Sequence, residues 1–188
     1  MPDLARVSFR KRIPTGVDTM WKHRGQHRPD FAQIPGPAQE SVWDYPRPPE
    51  LDALSGLVEV HDGETPIARS ERAWRVLETA SPPTIYLPPD SVDAARLVSI
   101  DRSSFCEWKG AASYWALARA PEQAVAWSYE KPSDRFQRIA GWFSFYPARV
   151  RCRLNGEPVR PQGGGFYGGW VTDAILGPWK GEPGTGDW

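Results

Sequence analysis

The chain has 188 residues, 40% of them hydrophobic and 24% charged, and its 23 basic side chains balance 23 acidic ones. That is a globular composition, and it excludes a fibrous, supercharged or wholly disordered chain. The 17 glycines and 20 prolines dilute the helix formers and argue against a helical bundle.

Residues 1–42 read as an extended arm. They carry Pro14, Pro29, Pro35 and Pro37 and little apolar periodicity. Residues 1–28 are basic, with seven Lys or Arg against Asp3 and Asp18. The arm therefore has two uses: docking on the acidic stretch 51–97 of its own or a neighbouring chain, or touching an acidic partner. No clustered aromatic–basic surface accompanies it, so nucleic acid is not expected, whereas self-association through the arm is. Trp21, Phe31 and Trp43 are its natural anchors.

A single domain is expected over residues 43–188. Leu57-Val58-Glu59-Val60-His61 runs into Asp62-Gly63, a type I′ hairpin signal, and returns as Thr65 to Ser70. Arg72 to Thr79 reads as a strand with Trp74, Val76 and Glu78 on one face. Pro88-Pro89-Asp90 opens a short helix to about Arg96.

Residues 105–146 hold 11 of the 23 aromatic side chains. Their period is two. Ala112, Tyr114 and Ala116 oppose Ser113, Trp115 and Leu117. Val125, Trp127 and Tyr129 oppose Ala126 and Ser128, and Trp142, Ser144 and Tyr146 oppose Phe143 and Phe145. Arg149, Arg151 and Arg153 then alternate with Val150, Cys152 and Leu154, giving one cationic face and one core face. Asn155-Gly156 turns that strand back. Bulk on both strand faces implies two antiparallel sheets, and the Gly- and aromatic-rich tail 162–188 reads as a segment wrapped over the core.

No apolar run nears the roughly 18 residues of a spanning helix, and the start Met1-Pro2-Asp3-Leu4-Ala5-Arg6 has no signal-like apolar core. Two cysteines, Cys106 and Cys152, cannot form a disulfide framework. A cytoplasmic protein with no membrane contact is expected. Cysteine and histidine spacings fit no zinc site, so no metal and no cofactor are expected.

Candidate chemistry gathers around Cys106-Glu107-Trp108-Lys109-Gly110. A thiol beside a lysine is a possible nucleophile, although no histidine stands near it in sequence to act as base; a structural cysteine is the plainer reading. Lys109 could bind an anion or pair with a buried carboxylate. Glu78, on the core face of its strand, would need Lys109 or an arginine. The glycine loop 163–169 lacks the Lys-Ser/Thr of a phosphate loop and serves close packing. Tryptophan and tyrosine carry polar tips that need partners when buried, so part of the aromatic set should line a cleft.

Several runs carry a resemblance: Ile67-Ala68-Arg69-Ser70, Val76-Leu77-Glu78-Thr79, Pro82-Pro83-Thr84-Ile85-Tyr86-Leu87-Pro88, Cys106-Glu107-Trp108-Lys109-Gly110, Ala124-Val125-Ala126-Trp127-Ser128-Tyr129 and Gly141-Trp142-Phe143-Ser144-Phe145-Tyr146-Pro147. Together they resemble the bacterial family known as domain of unknown function 427, over roughly residues 43–188. The resemblance implies a mostly β, β-tent-like fold of two antiparallel sheets meeting at an angle, as in the thalidomide-binding domain of cereblon and in yippee-like proteins. The two CxxC pairs that hold zinc in those relatives are missing here. A nucleotidyltransferase label attaches to the family, but no Gly-Ser with an Asp-x-Asp pair is present. The resemblance carries over Glu78, Tyr86, Cys106, Lys109, Tyr114, Trp127, Tyr129 and Tyr146.

The expected function is a non-catalytic small-molecule-binding module. Trp108, Tyr114, Trp127 and Tyr146 would form its walls with Tyr86 and Tyr129, and a Glu78–Lys109 pair would anchor the ligand. Two alternatives stay open: an enzyme acting on a small metabolite through Lys109 or Cys106, and a contact module for protein or nucleic acid using the arm and the Arg149/Arg151/Arg153 face.

Overall fold

A computed structural model describes residues 21–188. Thirteen strands follow one another: β1 (Glu40–Ser41), β2 (Glu50–Asp62), β3 (Thr65–Glu78), β4 (Ser81–Leu87), β5 (Leu97–Cys106), β6 (Gly110–Leu117), β7 (Ala120–Ser128), β8 (Phe143–Phe145), β9 (Arg151–Leu154), β10 (Glu157–Pro158), β11 (Arg160–Pro161), β12 (Trp170–Val171) and β13 (Ile175–Leu176). The fold is mostly β and its main sheet is antiparallel. Nine strands pair in the order β10-β9-β2-β3-β4-β8-β7-β6-β5. The two antiparallel halves expected from the sequence are thus continuous through the β4–β8 pairing. No helix among the described residues is long and apolar enough to cross a membrane.

The local signals act much as their chemistry dictates. The β2–β3 hairpin closes on Gly63-Glu64, because Asp62 faces Thr65 across the ladder. Gly63 has φ 58° and Glu64 does not share the positive sign, so the turn is of type II′ instead of the expected I′. Asn155 and Gly156 both have positive φ, at 51° and 81°, as a I′ turn requires. The stretch after Pro88 is not a continuous helix. It forms two single 3-10 turns, Pro89–Ser91 and Ala94–Arg96, the second capped by Asp93.

Period-two alternation sorts the sheet into two apolar faces. Val58, Val60, Ile85, Leu87, Phe143 and Phe145 pack on one. The tail covers that face: Trp170 is buried there and donates its indole N–H to the Phe145 carbonyl at 3.0 Å. Tyr86, Tyr114, Trp127, Tyr129, Phe136 and Tyr146 pack on the other face. Val125 departs from the expected pattern. It packs with Ala126 on the first face, away from Trp127, because the β6–β7 ladder jumps from Trp115–Ala126 to Ala116–Ala124 and leaves Val125 in a bulge.

A third cluster joins the described part of the arm to the tail. Trp43 is 1% exposed and donates to the Pro178 carbonyl at 2.7 Å. Phe31 stacks on Trp188 at 5.3 Å, and β1 runs parallel to β13. Of the three expected anchors, Trp43 is fully buried, Trp21 is half-buried and Phe31 stays half exposed. The first 20 residues, nearly half of the expected extended arm, lie outside the described part of the chain. The Arg149/Arg151/Arg153 face is also not a free cationic stripe. Arg149 precedes β9, donates to the Ala124 carbonyl and lies over the Tyr146 ring, while Arg151 pairs with Glu64 at 2.9 Å.

Candidate functional site

The site begins with register. Trp74, Tyr86, Ser144, Trp127, Tyr114 and Ile100 are successive cross-strand partners on β3, β4, β8, β7, β6 and β5, so one row of side chains crosses six strands on the same face. Ser144 is the one small member between two large rings. Over it, Trp127 reaches Tyr86: the indole N–H donates to the phenol oxygen at 3.1 Å, with the rings edge to face at 6.2 Å. Tyr146, just beyond β8, packs against Trp127 at 4.6 Å. Tyr114 shares a 2.8 Å hydrogen bond with Ser104 on the neighbouring strand.

These rings bound a cavity of about 310 Å³. Tyr86, Tyr114, Tyr129 and Tyr146 are each at most 6% exposed. Burial pushes the phenols of Tyr86, Tyr129 and Tyr146 above their ordinary values, so they remain protonated.

Lys109 and Cys106 come from the β5–β6 hairpin. Cys106 faces Gly110 across the ladder, and Glu107-Trp108-Lys109 form the loop. Gly110 has φ 100°, which turns the chain sharply enough to fold the lysine back into the hollow. Ser133 secures the loop, its N–H donating to the Lys109 carbonyl and its hydroxyl to the Trp108 carbonyl. Lys109 is 7% exposed, and its ammonium lies 5.8 Å from the Tyr129 ring centre and 5.5 Å from that of Phe136. Burial pulls its pKa down. Tyr86, Cys106 and Glu78 outweigh that pull, and the net direction is upward.

Eight of the nine site residues expected from the sequence line this cavity: Glu78, Tyr86, Cys106, Lys109, Tyr114, Trp127, Tyr129 and Tyr146. Trp108 does not. Its place in the hairpin loop turns it away, half-buried against the second face, with its indole N–H unpartnered. The expected Glu78–Lys109 ion pair is also replaced. Glu78 pairs with Arg47 at 3.6 Å, the arginine alternative that a carboxylate on the inner face allowed. Arg47 has a side chain 3% exposed and also donates to the carbonyls of His23 and Thr79, at 2.8 and 2.7 Å.

Further walls come from distant segments. Trp21 enters from the arm, and Gln162, Tyr167, Gly168 and Lys180 enter from the tail. The Lys180 ammonium sits 4.1 Å from the Trp21 ring centre, where the Arg47 guanidinium also approaches at 4.5 Å. Burial, then Arg47, holds the Lys180 pKa below its ordinary value, opposed by Glu78 and Glu107. Gln162 bridges the tail to itself, donating to the Lys180 carbonyl and accepting from the Gly169 N–H. No local pattern marks Trp21 or Lys180 as site residues. The aromatic flanks of the glycine loop were the sequence signal available for Tyr167.

Among the described residues, no group of three or more histidine, cysteine, aspartate or glutamate side chains is arranged to hold a metal ion. The chain belongs to the family described as Domain of unknown function (DUF427), whose model matches residues 50–156. A comparison with curated proteins gave no match. The matched stretch contains the phenols, Trp127, Cys106 and Lys109, whereas Trp21 and the tail walls lie outside it.

Proposed function

We propose that this DUF427 member is a small-molecule-binding protein whose ligand enters the aromatic hollow and is oriented by Lys109. One observation carries the reading: Lys109, 7% exposed, lies on a cavity wall with no carboxylate within ion-pair distance among the described residues. An unpaired buried charge is costly and persists where a function repays it. Flat rings edge to face supply the apolar contact area that ligand pockets use, and the volume falls at the small end of the usual roughly 300–1,000 Å³.

The test is a thermal-shift and tryptophan-fluorescence screen of planar fragments of about 10–15 non-hydrogen atoms. Hits should compete with one another and should lose at least tenfold in affinity in Trp127→Ala. Hits that bind Trp127→Ala as well as wild type would overturn the assignment of this cavity.

A further inference from the structure

Resting on that reading, we infer that the ligand is an amphiphilic organic anion, an aryl or short alkyl carboxylate, bound head first with its acceptor oxygens at Lys109 and its apolar end between Phe105 and Phe166. The inference starts from a donor and acceptor inventory of the deep part of the cavity. The Trp127 N–H and the Thr84 hydroxyl both donate to the Tyr86 oxygen, which leaves the Tyr86 hydroxyl hydrogen to donate. The Tyr114 hydroxyl is engaged by those of Ser104 and Tyr146. Lys109 brings three N–H groups and no acceptor; the Cys106 sulfur takes one of them, and none of the described ion pairs consumes the others. The deep end thus has donors and a positive charge, and among the described residues no carboxylate is paired with Lys109.

The acids on the wall do not fill this role. Glu78 is engaged by Arg47, and Glu107 is exposed at the rim. A cationic ligand would meet the Lys109 ammonium in a dry site, where repulsion is least screened. A carboxylate supplies what is missing: two oxygens with about four lone-pair directions for Lys109 and Tyr86.

The rim gives the other end. Phe105 is 79% exposed and Phe166 is 63% exposed, yet both border the same opening. They come from different segments, Phe105 from β5 and Phe166 from the tail loop, where Tyr167 braces it edge to face at 5.2 Å. Two large apolar rings left in water at one mouth are accounted for by an apolar group passing between them. The polarity of the ligand is therefore inward for the anion and outward for the hydrocarbon.

The experiment is calorimetric titration of the full chain with matched probes: 2-naphthoate, 2-naphthamide, 2-naphthylmethylammonium, octanoate and acetate. The naphthoate should bind at least tenfold more tightly than the amide, and the ammonium should not bind. Lys109→Met should erase the carboxylate preference, while Lys109→Arg should keep most of it. The melting temperature of each variant checks that it is folded. Phe105→Ser with Phe166→Ser should weaken octanoate by about tenfold and leave acetate unchanged. Equal binding of naphthoate and amide, or a preference that survives Lys109→Met, would overturn the anion assignment and leave the binding cavity standing. Failure of every probe, together with a fragment screen without hits, would overturn the cavity reading as well.

Discussion

Trp127 donates its indole N–H to the hydroxyl of Tyr86 across the top of Ser144, at 3.1 Å and with both rings withdrawn from solvent. The bond fixes the two largest walls of the hollow relative to each other. Tyr86→Phe removes the acceptor and leaves a buried N–H unpaired, which costs about 1–3 kcal/mol. Urea unfolding should show that loss, with tryptophan emission altered in the folded state. Ser144 behaves oppositely. Its hydroxyl is buried without a partner, so Ser144→Ala should leave stability unchanged or raise it by up to about 1 kcal/mol. A destabilised Ser144→Ala would show that the hydroxyl has a partner after all.

Gly168 brings the tail backbone against Trp127. A β-carbon there would collide with the indole ring and come within 3.3 Å of Tyr146. Gly168→Ala should push the loop outward or the indole into the hollow. The expected result is a destabilisation of about 1–3 kcal/mol and at least a tenfold loss of naphthoate affinity. Unaltered affinity would mean that the tail does not form that wall in solution.

The imidazole of His23 sits edge-on to Trp43 at 5.1 Å and to Phe31 at 5.9 Å, with its Nε2 buried and unpartnered. Burial, then the charges of Lys22 and Arg47, holds its pKa below the ordinary 6.5, with Asp187 pulling the other way. The unfolded chain therefore binds this proton more readily than the folded one. Stability from the neutral imidazole is complete above about pH 6.5 and declines as the pH falls towards the folded value. Hydrogen exchange over residues 21–33, corrected for intrinsic rates, should be faster at pH 5.5 than at pH 7.5. His23→Leu should remove that difference.

The two thiols differ in access. Cys152 is 2% exposed, and burial pushes its pKa up, whereas Cys106 lies half-buried on the cavity wall. Ellman's reagent should titrate one equivalent in the native protein and two after denaturation. Mass spectrometry should place the native adduct at Cys106, and 2-naphthoate should slow it. A native adduct at Cys152 would contradict the packing of β9 against β2.

Much of the fold and the strand-borne part of the site were legible because half-buried strands announce their faces by alternation. Tyr114 against Trp115, and Phe143 and Phe145 against Tyr146, are direct examples. Val125 was not legible, since a bulge changes which face a residue takes and leaves no compositional trace. Trp108 was misplaced for a related reason: alternation stops at a hairpin loop. Glu78 was legible as a carboxylate needing a cation, but its choice of Arg47 depends on a contact between segments remote in sequence. Trp21 and Lys180 depend on the same kind of contact, which periodicity does not encode.

The parallel pairing of β1 with β13 joins segments near the two limits of the described chain. Closing so long a loop carries the largest entropy cost of any strand pairing among the described residues, and it is repaid by nothing local. While the chain is emerging from a ribosome, the antiparallel ladder can zip strand by strand, yet the hollow remains an open trough until residue 180 has come out and laid its lysine over Trp21. Nascent and truncated chains thus lack the Gln162, Tyr167, Gly168 and Lys180 walls of the hollow, which is complete only once synthesis has passed the tail.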